Sequence, residues 1–270
     1  MDPHLEANRT RWDALVPVHA ASRFYDVDGF LDGRCALLPY ERDALADEVA
    51  GRSMVHLQCH FGLDTLSWAR RGARVTGVDF SPVAVRCAQE LAKQAGLDAC
   101  FVESEVTRAH EALGGETFDL VFTSWGVLGW LPDLRAWGQA VAALLRPGGS
   151  FYIVETHPTA WLFEGVDLER RYGYFYEADP IVEDGAGTYA EPNAEIGPRR
   201  RYSWIYELGM VVTVLLEAGL VIDALNEHDG TCSAIYPTLV KGDDGLWRQP
   251  EGALSLPLSF SLRARRPHVP

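Results

Sequence analysis

Several features that mark membrane, secreted and zinc-binding proteins are missing from the sequence. No apolar run approaches the roughly 20 residues that a helix needs to span a bilayer. The polar N-terminus, MDPHLEANRTRWD, shows no signal peptide. The five cysteines are odd in number and contain no CxxC pair, which favours small core residues in a reducing compartment over disulfides or a zinc site. We therefore expect a cytoplasmic protein that has no membrane partner.

Positive charge is scarce, because 24 Lys and Arg face 38 Asp and Glu, giving a formal net charge of −14. This balance argues against nucleic acid as a main partner, since binding phosphates requires clustered Lys and Arg. The run Arg199, Arg200 and Arg201 is a local exception that we expect to be a solvated loop. The HExxH spacing is absent and no paired His and Asp spacing suggests a metal, so no metal site is predicted, and the absence of GxSxG disfavours a serine hydrolase. A small molecule is the expected partner.

The hydrophobic pattern predicts strands that alternate with helices. A length of 270 residues with 47% hydrophobic residues suits one α/β domain with an insertion, or two small domains. Predicted strands cover 54–57, 74–78, 100–102, 118–123, 150–155, 220–227 and 254–265, and predicted helices cover 63–69, 82–95, 134–144 and 208–218. Ser81, Pro82 and Gly96 give the second of these helices a clear start and stop. The alternation implies a parallel sheet with right-handed crossovers, and the last segment predicts an antiparallel strand.

Two segments lie outside this alternation. Residues 1–50 predict a mostly helical N-terminal segment that Pro17 interrupts, with a further helix over 40–49. Residues 51–270 would form the main domain, in which 158–206 is an insertion rich in aromatic residues, Gly and Pro. The alternation in YGYFYE predicts hairpins there, and we expect the insertion to cover a site. The N-terminal segment fits either a lid over that site or a plain helical extension of the sheet.

Four successive predicted strands end in residues suited to binding an adenosine. The first strand is followed by a tight turn with Gly62 that opens a helix, as in nucleotide-binding folds. Asp79 follows the second strand, where a carboxylate can accept hydrogen bonds from both ribose hydroxyls. Glu105 follows the third strand, where it can accept from an adenine amino group. Ser124 follows the fourth strand, at the central crevice of the sheet.

Five motifs, in the order VHLQCHFG, VTGVDFS, FVESEV, FDLVFTSWGVL and LLRPGGSFYIVE, resemble those of the class I S-adenosylmethionine-dependent methyltransferases. The resemblance covers residues 54–155, and residues 208–264 are compatible with the end of the family's fold. It implies a Rossmann-like α/β fold with a seven-stranded, mostly parallel sheet, an antiparallel last strand and helices on both faces. It also implies S-adenosyl-L-methionine as the cofactor and methyl transfer to a small organic acceptor. The LQCHFGLDTLSWA form is similar to a variant in small-molecule methyltransferases of actinobacteria.

The resemblance implies that the donor is bound by the ends of four strands. Asp79 would hold the ribose, Phe80 would pack on the adenine, and Glu105 with the backbone of Val106 would bind the adenine edge. The first turn and Ser124 to Gly126 would face the methionine part. The cofactor-binding residues implied in this way are Leu57, Gln58, Cys59, His60, Gly62, Asp79, Phe80, Ser81, Glu105, Val106, Ser124, Trp125 and Gly126.

The opening turn departs from the family pattern, which is an acid followed by Gly-x-Gly-x-Gly. His56 stands at the acid position, Gln58 and His60 stand at the first two glycine positions, and only Gly62 is kept. Losing glycines restricts the close approach of backbone to a ligand. Either the side chains of Gln58 and His60 contact the methionine part, or they merely replace glycines.

Methyl transfer from a sulfonium depends mainly on an aligned nucleophile, and a general base helps when that nucleophile is a hydroxyl or a protonated amine. His157, after the fifth strand, is the first catalytic candidate because imidazole titrates near neutral pH; the alternative is a plain turn residue. Tyr25, a second candidate, and His19 reach the site only if the N-terminal segment is a lid. The substrate-side candidates, each of which could instead be a core or surface residue, are Trp125, Trp161, Tyr176, Trp204 and His228.

Two other classes remain open. One is a non-catalytic protein of the same fold that binds an adenosine ligand. The other is an NAD-dependent oxidoreductase, which would need the GxGxxG motif that the sequence does not contain. The sequence also leaves a homo-oligomer open.

Overall fold

A computed structural model describes residues 2–268 of the chain. Its helices are α1 (Pro3–Ala20), α2 (Val27–Leu31), α3 (Pro39–Ala44), α4 (Leu63–Arg70), α5 (Pro82–Ala95), α6 (Ala109–Ala112), α7 (Leu134–Leu144) and α8 (Leu208–Glu217). Its strands are β1 (Ser53–Leu57), β2 (Arg74–Asp79), β3 (Ala99–Glu103), β4 (Phe118–Ser124), β5 (Leu145–Thr156), β6 (Phe163–Glu164), β7 (Glu169–Arg170), β8 (Ile181–Asp184), β9 (Arg200–Ser203), β10 (Val221–His228), β11 (Gly230–Thr231), β12 (Val240–Lys241), β13 (Trp247–Arg248) and β14 (Ser259–Arg265).

Seven strands form one central sheet in the order β10-β14-β5-β4-β1-β2-β3. The neighbours β5, β4, β1, β2 and β3 pair in parallel. The last strand, β14, lies between β5 and β10 and is antiparallel to both. The predicted Rossmann-like fold, a mostly parallel sheet with an antiparallel last strand, is therefore confirmed.

Both faces of this sheet are covered by helices, because alternate residues of each buried strand point to opposite sides. In β1, Val55 and Leu57 pack in a buried cluster with residues of α7 and α8. Met54, one residue away, packs in another cluster with Trp68 of α4. The core therefore lies in two layers, one on each side of the sheet.

Helix α5 begins and ends where its sequence predicts. The Ser81 hydroxyl accepts a hydrogen bond from the Ala84 N–H at 3.0 Å, and Pro82 occupies the first turn, where a missing N–H is harmless. Gly96 closes the helix in the left-handed conformation, with φ of 64°. Because α5 begins at Pro82, residues 80 and 81 form a short connection at the carboxyl end of β2.

Several predicted boundaries are wrong. Helix α1 continues through Pro17, because a proline in the last turn removes only one N–H bond. Helix α3 ends at Ala44, well before the predicted end at 49. Strand β5 begins at Leu145, so the Arg146–Gly149 segment lies within the extended chain instead of before it. The three-stranded sheet β11-β13-β12 has no counterpart in the sequence prediction.

The insertion contains two short antiparallel pairs, β6 with β7 and β8 with β9. Helix α1 is fastened to it by two buried polar side chains. Asn8 donates to the Tyr202 carbonyl at 2.8 Å and accepts from the Tyr202 N–H at 2.9 Å, so it pairs with β9 as a strand residue would. Arg11 donates to four carbonyls, those of Gly185, Gly187, Pro198 and Arg199, at 2.9–3.1 Å. Helix α1 and the insertion therefore form one layer, named here the roof.

Three smaller expectations have mixed outcomes. Within residues 2–268, no helix is long and apolar enough to cross a membrane. Cys59 is buried as expected, but Cys35 and Cys100 are exposed, so the prediction of core cysteines is wrong for these two. The prediction of a solvated loop is wrong for Arg200 and Arg201, which lie in β9. Arg200 pairs with Asp184 at 2.9 Å and Arg201 pairs with Glu183 at 2.7 Å, so their charges are compensated within the insertion.

Candidate active site

A cavity of about 820 Å³ lies at the carboxyl ends of β1, β2 and β4, beneath the roof. In an open α/β sheet, ligands bind at the point where neighbouring strands lead to helices on opposite faces. The β1–β4 pair is that point here, since the chain passes from β1 to β2 on one side and returns to β4 on the other. The volume is enough for a nucleoside-sized ligand and a small partner.

The loop after β1 has an unusual backbone. Gln58 has φ of 56°, His60 has φ of 51° and Gly62 has φ of 84°. Side chains rarely adopt this left-handed region, and each such non-glycine residue costs about 1–3 kcal/mol. The three residues stand at the positions where related loops have glycine, so the loop has the glycine-type shape although two of its glycines are missing.

Gly62 must remain glycine for two reasons. Its positive φ strains any side chain, and a Cβ at this position would lie 2.7 Å from the Phe101 ring. The Gln58 side chain is turned across the crevice, because its Nε2 donates to the Val127 carbonyl at 3.1 Å. The loop is thereby tied to the segment that follows β4.

Asp79 holds this loop in place from the end of β2. Its Oδ2 accepts from the His60 N–H at 2.8 Å, and its Oδ1 accepts from the Ser81 N–H at 2.9 Å. Burial raises the pKa of Asp79 to about 6, which these two N–H bonds oppose. Each carboxylate oxygen keeps a second lone pair, so Asp79 can also accept from a ligand.

The neighbouring donor-site candidates divide into two groups. Phe80 and Val106 line the cavity beside Asp79. Glu105 also lines it, but its carboxylate caps the next turn by accepting from the Thr107 N–H at 3.2 Å. Ser81 is fully buried and its hydroxyl donates to Asp13 of α1. Neither Ser81 nor Leu57 is among the lining residues.

The segment after β4 is shaped by a second buried carboxylate. Trp125 and Gly126 have φ of 49° and 76°. Glu155, at the end of β5, accepts from the N–H groups of Gly126, Val127, Leu128 and Thr156 at 2.5–3.0 Å. Three of these N–H donors, from Gly126, Val127 and Leu128, belong to the loop after β4, and Ser124, Trp125 and Gly126 all line the cavity.

His56 is neutral in this arrangement. Its Nδ1 lies 2.8 Å from the Thr65 hydroxyl and its Nε2 lies 3.3 Å from the Ser124 hydroxyl. Burial lowers the pKa of His56 to about 3. A neutral imidazole thus joins the ends of β1 and β4, at the position to which the family pattern assigns an acid.

The roof closes over the crevice with aromatic rings. Trp12 of α1 meets the His60 ring edge-on at 5.1 Å and the Trp130 ring at 5.3 Å, so it spans the loops after β1 and β4. His19 Nδ1 lies 2.9 Å from His60 Nε2, and the hydroxyls of Tyr25 and Tyr189 are hydrogen-bonded. Burial raises the pKa of Tyr25 well above its usual range, so its phenol stays protonated at neutral pH.

The structure places three of the remaining candidates away from the cavity. His157 is buried and caps the short 3₁₀ helix Pro158–Trp161, accepting from the Thr159 N–H at 3.1 Å, while its Nε2 pairs with Glu227 at 2.9 Å. Tyr176 stacks on Tyr206 at 5.1 Å, and His228 stacks on Tyr40 at 3.9 Å. None of the three is a lining residue, so the geometry does not support the roles predicted for them.

Other candidates do reach the cavity. Tyr25, Trp161 and Trp204 line it. Trp204 is almost fully buried and donates to the Ala178 carbonyl at 3.3 Å, whereas Trp161 is 42% exposed. Trp204 is therefore a fixed wall of the cavity, and Trp161 stands near its opening to solvent.

Several lining carboxylates escape the sequence prediction, among them Asp64 and Glu41. Asp64, in the first turn of α4, accepts from the Ser124 hydroxyl at 3.1 Å. Glu41 of α3 accepts from the Trp125 indole N–H at 3.1 Å and from the Leu38 N–H at 2.7 Å. The position of Asp64, two residues after Gly62, is a signal that could have revealed it. No local motif marks Glu41, because its place depends on how the N-terminal segment packs.

Part of the chain resembles known methyltransferases in sequence. A family described as a methyltransferase domain matches residues 55–151. The ubiquinone biosynthesis O-methyltransferase of Methylobacterium sp. (strain 4-46) is 32% identical over 151 residues, covering 56% of this chain and 59% of that protein. The protein of the same description from Cronobacter sakazakii (strain ATCC BAA-894) is 29% identical over 182 residues, covering 66% and 72%.

A solved structure shows the same fold. The S-adenosylmethionine-dependent methyltransferase from Mesorhizobium loti has a TM-score of 0.55 and 20% identity over 87% of this chain and 100% of that chain. The chain spans about three fifths of the first relative, 59% of its length. Residues 55–151 thus resemble a methyltransferase domain in sequence, and the chain has the fold of this solved S-adenosylmethionine-dependent methyltransferase.

Proposed function

We propose that this protein transfers a methyl group from S-adenosyl-L-methionine to a small organic acceptor by in-line displacement. The observation that carries the proposal is the loop after β1. Gln58, His60 and Gly62 all have positive φ there, and the loop is fixed to Asp79 by the His60 N–H at 2.8 Å. A chain adopts such strained backbone only where the surrounding structure requires it, and such strain clusters at ligand-binding sites.

The residues around this loop fit the donor. Asp79 offers its free lone pairs to the ribose hydroxyls, and Phe80 and Val106 offer apolar surface to the adenine. Gln58 Oε1 is buried and has no hydrogen-bond partner within residues 2–268, so it is available to a ligand N–H. Because the Glu105 carboxylate is engaged in its own cap, we assign the adenine edge to the main chain at this point.

The donor supplies an electrophilic methyl group on a sulfonium, and the chain orients the reactants and excludes water. The roof serves the second task, since Trp12 and Tyr189 line the cavity beneath it, and Tyr25, just after α1, is hydrogen-bonded to Tyr189. Tyr25 can donate a hydrogen bond but is not a base at neutral pH, because its phenol is protonated. Trp161 and Trp204 offer flat surfaces to the acceptor.

Calorimetry of the purified protein with S-adenosylhomocysteine, and separately with NAD, tests the proposal. We expect saturable binding of S-adenosylhomocysteine and none of NAD. Absence of S-adenosylhomocysteine binding would sink the proposal, and binding of NAD alone would favour an oxidoreductase.

A screen of acceptors with labelled donor then tests catalysis. Hydroxyl-bearing acceptors are tried first, since the relatives from Methylobacterium and Cronobacter carry the description O-methyltransferase. Transfer of label to any acceptor supports the enzyme. Tight binding of S-adenosylhomocysteine without transfer to any acceptor would instead favour the non-catalytic adenosine-binding protein.

A further inference from the structure

One of the two carboxylate oxygens of Glu41 is buried without a hydrogen bond to the described part of the chain. The residue is 1% exposed, and both of its hydrogen bonds, from the Leu38 N–H and the Trp125 indole, reach the same oxygen, Oε1. Its Oε2 is buried and has no hydrogen-bond partner within residues 2–268. A buried carboxylate oxygen without a partner is costly, by about 1–3 kcal/mol or more, unless a ligand supplies one. Glu41 also lines the cavity, which makes a bound ligand the natural partner.

Asp64 lies on the same cavity wall and acts on Glu41. Burial raises the pKa of Glu41 to about 8, and the charge of Asp64 raises it further; burial also raises the pKa of Asp64 to about 6. Both carboxylates line the cavity, where burial disfavours the charge of each and Asp64 adds to the penalty on Glu41. A cation bound beside them would favour the charged form of both groups.

The cavity wall itself does not supply that cation. Its arginines are engaged with other carboxylates: Arg34 with Asp26 at 2.8 Å, Arg42 with Asp43 at 2.7 Å, and Arg171 and Arg201 with Glu183 at 2.6 and 2.7 Å. The charge of Arg34 reaches Asp64 and lowers its pKa somewhat, but within residues 2–268 no ion pair joins them. The remaining lining cation, Lys241, is exposed.

The position of Glu41 argues for the acceptor over the donor. Glu41 lies outside the segment 55–151 that is shared with methyltransferase domains, and so do Cys232 and Ser233, which line the cavity as well. Glu41 lies on the β4 side of β1, since it bonds to Trp125 after β4 and the neighbouring Tyr40 carbonyl accepts from Tyr152 of β5, whereas Asp79 follows β2 on the other side. Segments outside the shared methyltransferase-domain match are the ones that we expect to select the acceptor.

We propose that Glu41 and Asp64 bind a cationic amine of the methyl acceptor, with Glu41 Oε2 accepting one of its N–H bonds and the Trp125 indole ring beside it. The inference rests on the proposed methyl transfer and names the class of acceptor. Charge-assisted bonds of this kind are about twice as strong as neutral ones, and they strengthen when desolvated.

The test uses a matched pair of probes, phenethylamine and 2-phenylethanol, on the full-length protein saturated with S-adenosylhomocysteine. Saturation fills the donor site, so any further binding reports on the acceptor space. We expect the wild type to bind the amine about tenfold more tightly than the alcohol. Glu41→Gln and, independently, Asp64→Asn should bring that ratio close to one. Glu111→Gln, at an exposed carboxylate paired with Arg108, is the matched control and should leave the ratio unchanged.

Each outcome decides the proposal. Equal binding of amine and alcohol by the wild type would overturn it, as would a ratio that survives both substitutions. A tenfold or larger loss of S-adenosylhomocysteine affinity in Glu41→Gln, with the amine preference retained, would assign the carboxylates to the donor instead. If Glu41→Gln does not fold, Asp64→Asn alone decides. Failure of the wild type to bind S-adenosylhomocysteine is a separate result, which would contradict the methyltransferase function itself.

Discussion

The main-chain N–H of His60 donates to Oδ2 of Asp79 at 2.8 Å, so the loop after β1 is fastened to the acid after β2. This bond joins two chain segments that the parallel pairing of β1 and β2 brings side by side. The loop does not need glycine at every position, because Asp79 holds its backbone in the left-handed shape from outside. The loop geometry therefore depends on Asp79, the same carboxylate to which we assign the ribose of the donor.

Replacing Asp79 by asparagine should weaken S-adenosylhomocysteine binding about 10- to 100-fold, since hydrogen bonds to a charged acceptor contribute about 1.5–3 kcal/mol. The amide keeps one acceptor oxygen but turns an NH₂ group toward the N–H of His60 or Ser81. Calorimetry measures the change. Asp43→Asn, at an exposed carboxylate paired with Arg42, is the control and should bind as the wild type does. An Asp79→Asn protein with unchanged affinity would exclude Asp79 from the donor site.

Gly62→Ala should destabilise the protein by roughly 2–4 kcal/mol, because it adds overpacking to backbone strain. The new Cβ would meet Phe101 at 2.7 Å, and φ is +84°. Gly96→Ala is a matched control, since Gly96 has φ of +64° but no heavy atom within 4 Å of its Cβ site. The free energy of unfolding of that variant should fall by only about 1 kcal/mol. Urea unfolding gives both values, and equal losses would show that contact with Phe101 does not matter.

His157→Ala should lower the free energy of unfolding by about 1 kcal/mol and leave turnover unchanged, which reverses the expectation from the sequence. The imidazole accepts from the Thr159 N–H as a helix cap and lies outside the cavity lining. Turnover with the best acceptor of the screen is compared at a temperature where both proteins are folded. A lower kcat with intact donor binding would restore a catalytic role for His157.

The contrast between Asp79 and His157 shows which parts of the site a sequence can predict. Asp79 follows a strand whose pattern is local, and a parallel sheet brings every such strand end to one edge. His157 also follows a strand, but its ring turns toward Glu227 of β10, a contact that no local pattern encodes. Tyr176 and His228 fail for the same reason, since their stacking partners come from distant segments. Glu41 was missed because its burial depends on the packing of the whole N-terminal segment.

Arg11→Ala should destabilise the protein by about 2–4 kcal/mol and loosen the roof. The guanidinium is 1% exposed and donates to four carbonyls of the insertion, all of which would lose a partner. Limited proteolysis should then cut between residues 185 and 200 faster than in the wild type. Arg9→Ala is the control, because Arg9 forms only a surface pair with Glu6 and its loss should change stability by less than about 0.5 kcal/mol. Equal cutting of both variants would show that Arg11 does not hold the insertion.

Glu41 should make the ligand-free protein less stable as pH rises. Burial raises the pKa of its carboxyl from 4.5 to about 8, so the folded state favours the protonated form. The stability that the protonated form contributes is fully present below pH 4.5. It falls as the pH rises from 4.5 to about 8, and it is lost above about pH 8.

Glu41→Gln removes this titration and keeps a side chain of the same shape. We expect the Tm of the variant to exceed that of the wild type at pH 8.5, by roughly 2–4 °C for each kcal/mol gained, and the difference to shrink at pH 5.5. Both proteins keep Asp64, so its own titration cancels to first order in the comparison. Thermal unfolding at the two pH values measures the difference. If the Tm of the variant differs from that of the wild type by the same amount at pH 5.5 and at pH 8.5, the Glu41 carboxyl does not titrate in this range.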